Sequence, residues 1–323
     1  MNTQTLLQQC VEAVDILSPT AFTMAGRTRE AADGGLLVRT LTETIYEQCY
    51  CNRFAGDYHV YAPVSGPDPA FAAALTAANT TMTGWDGGWE IDQLLPGGQY
   101  LAVRNNRYRT VSPGEFITTN YQSGLPQPGT PISIYCQKES STLQAAFYFA
   151  FSQEPITDQS LSTTVRLYWN VNSSGAPALV ELLTTNLNRY QVPFSFKCLN
   201  HPALYPRIDA AVLYIARRYY QITYNIIRCI YPAVQSQLES PTPWFTKSLD
   251  PGLGLAEDPG SGDSFGMSRC RIVAEGIYQA YQLGDGSSAG KREQVETIFK
   301  ARGLSLDRPW LNAGSKDIYD YCN

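Results

Sequence analysis

Histidine is nearly absent from this chain, with His59 and His201 the two among 323 residues. There is also no Cys-x-x-Cys or paired Cys/His spacing, so the pattern from which tetrahedral zinc sites draw their ligands is missing. The nearest cysteine pair is Cys49-Tyr50-Cys51. The eight cysteines (Cys10, Cys49, Cys51, Cys136, Cys198, Cys229, Cys270 and Cys322) form no repeating framework and read as reduced residues, mostly of the core. No apolar run approaches the ~20 residues that cross a bilayer. The N-terminal stretch Met1 to Leu17 lacks the basic region and small-residue cleavage site of a secretory signal. A cytoplasmic protein without membrane contact is expected. Positive charge is scarce too: 24 Lys+Arg against 29 Asp+Glu give a net charge of -5 and a pI near 5.2. That balance excludes general nucleic-acid affinity, which needs a basic footprint to release counterions.

What the chain does have is core material and aromatics: 44 % hydrophobic residues and 21 tyrosines in a length sufficient for one large or two smaller domains. Leu6, Leu7, Val11, Val14 and Leu17 recur at helical spacing, and further helices are predicted over Gly35 to Tyr50 and Phe71 to Asn79. After Trp85 to Trp89 the texture changes to short runs bounded by Gly, Pro and Asn, which predict strands at Gln99 to Val103, Tyr108 to Val111, Ile132 to Gln137 and Ala145 to Phe151. Asn105-Asn106 suits a hairpin turn.

In the second half, Thr163 to Val171 alternates as a strand, with Val165, Leu167 and Trp169 on one face and Arg166, Tyr168 and Asn170 on the other. Ser173 or Ser174 is expected to cap a helix running to Tyr190, with Pro177 in its first turn. Strands follow at Phe194 to Leu199 and Ala210 to Ile215, and the strand-helix-strand order suggests a crossover unit. A long helix from Arg217 to Gln237, a Pro/Gly-rich loop from Pro241 to Gly262, and helices from Ser264 to Leu283 and Arg292 to Ala301 complete the reading. The expected fold class is α+β, mixed sheets flanked by helices, in two interlocked lobes. Residues 1–160 form the helical and small-sheet lobe, and residues 161–323 an α/β lobe that carries the function.

Gly262-Asp263-Ser264-Phe265-Gly266 matches a nucleophile elbow by letter, but an elbow serine follows a buried strand and precedes its histidine. Here Pro251 to Gly260 stands in place of the strand, and no histidine lies downstream. Asp263 or Ser264 instead caps a helix, either for the helix alone or with its free N–H groups offered to an anion. From 163 to 275 ten Lys/Arg stand against eight Asp/Glu, a small positive excess in an acidic chain. Its members include Arg166, Lys197, Arg207, Lys247, Arg269 and Arg271. Lys197 sits in the apolar run Phe194 to Leu199, so its amine must face water at a sheet edge or a partner. Neighbouring cations would favour the neutral, reactive amine. His201 is either an acid or a surface turn residue. Glu257 and Asp258 either orient arginines, bind peptide amines, or are solvated loop acids.

Several strings resemble the HopA-like type III effector family. They are Gly252 to Pro259, Ser264-Phe265-Gly266, Arg269 to Ala274, Arg166 to Asn170, Val192 to Asn200 and Asp209 to Tyr214. Tyr46 to Cys51 and Asp307 to Asn312 extend the likeness over residues 35 to 312. Free-standing members accompany ribosomal peptide biosynthesis, including class V lanthipeptides. The resemblance therefore implies a phosphoserine/phosphothreonine lyase partnered with a kinase-like protein, acting on a phosphorylated precursor peptide with a leader. Elimination of phosphate leaves dehydroalanine or dehydrobutyrine and needs no cofactor and no metal. Such chemistry requires a base at the α-carbon and cations for the departing phosphate. Lys197 is the expected base, and Arg166, Arg207, Lys247 and Arg269 the phosphate cradle. Tyr168 or His201 is the expected acid, Asp209 the holder of an arginine, and Asn170, Glu257, Asp258 and Ser264 further substrate contacts. The alternative is a non-catalytic module that binds a phosphopeptide or the kinase.

Overall fold

The computed structural model describes residues 3–52, 54–60, 63–120, 124–154, 156 and 163–319. Its elements begin with α1 (Thr3–Ala13), β1 (Val14–Ser18), β2 (Ala21–Met24), β3 (Arg27–Glu30) and α2 (Gly34–Ile45), which continues into a π-helical turn, Tyr46–Tyr50. Then come α3 (Pro69–Ala78), β4 (Gly84–Leu94), β5 (Tyr100–Arg104), β6 (Arg107–Val111), β7 (Phe116–Thr118), β8 (Pro131–Cys136), β9 (Glu139–Ser140) and β10 (Phe147–Phe151). The second half holds β11 (Thr164–Trp169), α4 (Ala176–Arg189), β12 (Phe194–Leu199), β13 (Ala211–Ala216), α5 (Tyr220–Val234), β14 (Lys247–Asp250), β15 (Leu253–Glu257), α6 (Phe265–Gln282) and α7 (Ser288–Ala301). The α+β class holds: among the described residues three antiparallel sheets are flanked by helices. Among the described residues no helix is long and apolar enough to cross a membrane.

Three local expectations are corrected. The first helix stops at Ala13 rather than running through Leu17, because Val14 to Ser18 pairs with β2 and puts Leu17 in solvent. Lys291 reaches across from α7 to bond the carbonyls of Val11 and Val14, satisfying groups that a helix end leaves open. Neither Ser173 nor Ser174 caps α4: Gly175 stands at the cap, and the Asn172 side chain accepts from its N–H. The presumed loop from Pro241 to Gly262 contains the β14–β15 hairpin, and all five residues of β15 are buried. Elsewhere the turn chemistry is as read, with Asn105 and Asn106 both left-handed, φ 49° and 60°, joining β5 to β6.

The central sheet has strand order β14-β15-β11-β13-β12-β10-β9. β11 and β12 each pair antiparallel with β13, so the crossover through α4 joins two parallel strands with β13 inserted between them. One sheet face, with Val165, Leu167, Trp169, Phe194, Phe196, Leu213 and Ile215, packs under α4 and α5. The other, with Tyr168, Val212 and Ala256, packs under α6, α2 and the π-helical turn. The sheet draws β9 and β10 from before residue 160 and its other five strands from beyond it. A separate five-stranded sheet, β6-β5-β4-β8-β7, closes over Trp89, Ile91, Tyr100, Ile132 and Ile134.

α6 and α7 approach at Gly276, where a Cβ would lie 2.6 Å from the backbone N and Cα of Val295. Backbone cannot yield as a side chain can. Gly276→Ala is expected to lower stability by roughly 1–3 kcal/mol in urea unfolding, and an unchanged midpoint would contradict the tightness of this contact.

Candidate functional site

Antiparallel register builds the site. Cα pairing aligns Tyr168, Val212, Lys197 and Phe149 in one row across β11, β13, β12 and β10, and Arg166, Tyr214, Ser195 and Phe151 in the next. Side chains of these rows project from one face, since alternate residues share a face. The start of α6 and the π-helical turn stand over that face. Together they enclose a cavity of about 430 Å³, lined by Arg166, Tyr168, Lys197, Arg207, Asp209 and Ser264 among others.

Lys197 Nζ donates to Gln144 Oε1 at 2.9 Å and lies 4.2 Å from the Phe147 ring centre and 6.0 Å from those of Phe149 and Tyr214. Burial, with the repulsion of Arg166 and Arg207, lowers its pKa to about 8, against an upward pull from Asp209. The ring faces also favour the ammonium. Arg207 grips Asp209 through two bonds, Nε to Oδ1 at 2.9 Å and Nη2 to Oδ2 at 2.8 Å, while the Tyr46 hydroxyl donates to Oδ2 at 3.0 Å. Burial opposes the Asp209 charge, but Arg207 and Tyr46 outweigh it and hold its pKa below the ordinary value. Arg166 bonds Asp258 from Nε at 2.7 Å and the Asp263 carbonyl from Nη2 at 3.3 Å. Among the described residues, Lys197 has no carboxylate at ion-pair distance.

Tyr46, Tyr50, Tyr168 and Tyr214 complete the wall. Tyr46 stacks on Tyr50 at 5.2 Å, and Tyr50 meets Tyr168 edge-on at 6.3 Å. Gly266, in the first turn of α6, makes room for the first two: a Cβ there would lie 2.6 Å from Tyr50 Cε1 and 2.7 Å from Tyr46 Cε2. Burial raises the pKa of Tyr50 and Tyr168. The Tyr50 hydroxyl, on a residue 1 % exposed, has no hydrogen-bond partner among the described residues. Ser264 caps α6 by accepting from Met267 N at 3.1 Å, and it borders the cavity.

Five anticipated residues lie elsewhere. Lys247 pairs with Asp317 at 3.1 Å, and Arg269 donates at 2.9 Å to the carbonyls of Pro309 and Leu311. Glu257, fully buried, accepts from the Tyr319 hydroxyl at 2.7 Å and Asn312 N at 2.9 Å. These three residues bind the C-terminal segment against the sheet rather than a ligand. Asn170, past the end of β11, donates to the Pro241 carbonyl. The Nδ1 of His201 accepts from Ala203 N within its own turn. Asp258 sits behind Arg166 and orients it. Sequence reasoning gave no role to Tyr50, Gln144, Phe147 or Tyr214. Alternation from Val212 offered a signal for Tyr214 alone. Among the described residues no group of three or more His, Cys, Asp or Glu is placed to hold a metal.

A family model described as the HopA1 effector protein family matches residues 138–311, more than half of the chain. The chain belongs to the HopA1 effector protein family. The matched region carries Arg166, Lys197, Arg207 and Asp209, whereas Tyr46 and Tyr50 come from outside it. Among solved structures, the chain is similar to an effector protein from Pseudomonas syringae pv. tomato strain DC3000. The two share 17 % identity over 85 % of this chain and 94 % of that one, with a TM-score of 0.46. An effector from Pseudomonas syringae pv. syringae strain 61 shares 13 % identity over 97 % of this chain and 98 % of that one, with a TM-score of 0.49. No curated protein matches the chain.

Proposed function

We propose that this HopA1-family protein is a phosphoserine/phosphothreonine lyase. Its substrate is a leader-bearing precursor peptide phosphorylated by a separate kinase-like protein. The observation that carries the reading is a lysine amine of lowered pKa set in a cavity with two guanidiniums, each anchored by an aspartate. Neutral Lys197 takes the proton from the α-carbon. The electron pair forms the Cα–Cβ double bond, and the Cβ–O bond breaks as the Tyr168 hydroxyl, the expected acid, gives a proton to the departing phosphate, which leaves as hydrogen phosphate. Arg166 and Arg207 hold the leaving anion in the fork geometry that guanidinium offers. Tyr168 lines the same cavity.

Mass spectrometry of a phosphopeptide incubated with the pure protein tests the reading, and loss of phosphoric acid is expected. Unchanged mass with retained binding would favour a non-catalytic phosphopeptide module, a reading supported by the rings around the Lys197 ammonium. The pH profile gives a second test. The active base is the neutral amine, so with a pKa of about 8 the single-turnover rate should climb about tenfold per pH unit below 8 and level off above it. A flat profile from pH 6 to 8 would rule out Lys197 as the titrating base.

A further inference from the structure

β10 offers three phenylalanines at alternate positions, and each borders a different cavity on the same face. Phe147 lines the cationic cavity. Phe149 lines a mainly apolar cavity of about 300 Å³ with Ser195 and Tyr214, and Phe151 lines a third of about 410 Å³ with Trp85 and Tyr135. Tyr214 is shared between the first two, and the Phe149 and Phe151 rings stack at 6.3 Å, so the three follow one another along the strand. From Phe147 to Phe151 the strand rises roughly 13 Å. At the far end Trp85 and Tyr135 form an exposed edge-on pair at 5.3 Å, with Trp85 53 % exposed.

We propose that these cavities are one groove for an extended peptide, with the phosphorylated residue at Lys197 and an apolar or aromatic side chain roughly three to five positions away seated between Phe149 and Trp85. The proposal rests on the lyase reading and adds to it where the rest of the peptide lies and what selects it. An extended chain places a side chain on one face at every second residue, which is the spacing of the three phenylalanines. The middle cavity beyond Lys197 is mainly apolar. The far cavity carries Arg109 with Glu115 and Glu154, so no positive charge accumulates there to guide a polyanion along the groove.

The test is fluorescence anisotropy of the full chain with labelled phosphoserine peptides carrying Phe or Gly four residues before or four residues after the phosphoserine. N-acetyl-phosphoserine amide serves as the short probe. On one side the Phe peptide should bind at least tenfold more tightly than its Gly counterpart. Ser195→Trp, which fills the middle cavity, should abolish that gain. Trp85→Ala, at an exposed position, should remove part of the gain without touching the core. Equal affinity of Phe and Gly peptides on both sides, or a gain that survives both variants, overturns the groove while leaving the cationic cavity intact. Failure of every probe to bind would remove the phosphate reading itself, and the groove with it.

Discussion

Replacing Lys197 by methionine is expected to slow elimination of phosphate from a phosphopeptide by about 100- to 10,000-fold, the usual range for loss of a general base. Methionine keeps an unbranched stem against Phe147 while removing the amine. Because Lys197 is half-buried and forms no ion pair among the described residues, the fold should survive, and the urea midpoint should stay close to that of the parent. Peptide affinity should change far less than turnover, since Arg166 and Arg207 still line the cavity. Lys197→Arg is the companion variant: it keeps the positive charge but cannot give up its proton at working pH, so it should be as slow as the methionine variant. A rate within threefold of the parent in either variant would move the base to another residue.

The second large effect concerns stability. Arg269 is 2 % exposed, lies with its guanidinium 4.9 Å from the Phe265 ring centre, and donates to two carbonyls of the C-terminal segment. Burial lowers its pKa to about 10, yet it stays charged near neutrality. Arg269→Ala leaves the Pro309 and Leu311 carbonyls without these donors and opens a void. A loss of about 3–5 kcal/mol is expected in urea unfolding. The fraction that remains folded should bind N-acetyl-phosphoserine amide as the parent does, because Arg269 is occupied outside the cavity. Full stability combined with lost phosphate affinity would return Arg269 to the cradle.

The division between what could be read locally and what could not follows from the range of each interaction. Alternation in Thr164 to Trp169 placed Arg166 and Tyr168 on the face opposite Val165, Leu167 and Trp169, as the core clusters bear out. The same logic put Lys197 opposite Phe196 and Cys198, and the Ser264 cap followed from hydroxyl chemistry at a helix start. β14 and β15 were hidden because short strands between prolines and glycines look like loop. Lys247 and Glu257 went astray with them, since strand order puts that hairpin at the edge of the sheet remote from β12.

By itself the sequence determined the α+β class, the periodic elements, the family strings and a set of five candidate cations, three of which converge. Each depends on neighbours within a few residues or on a pattern carried in the chain. Only the tertiary structure decided which cations share a cavity. It docked Tyr46 and Tyr50 on α6 at Gly266, and it turned Arg269, Lys247 and Glu257 towards the C-terminal segment. Those outcomes depend on strand order and on helix approach between residues more than two hundred positions apart, where packing and the satisfaction of buried polar groups govern, and no local pattern records them.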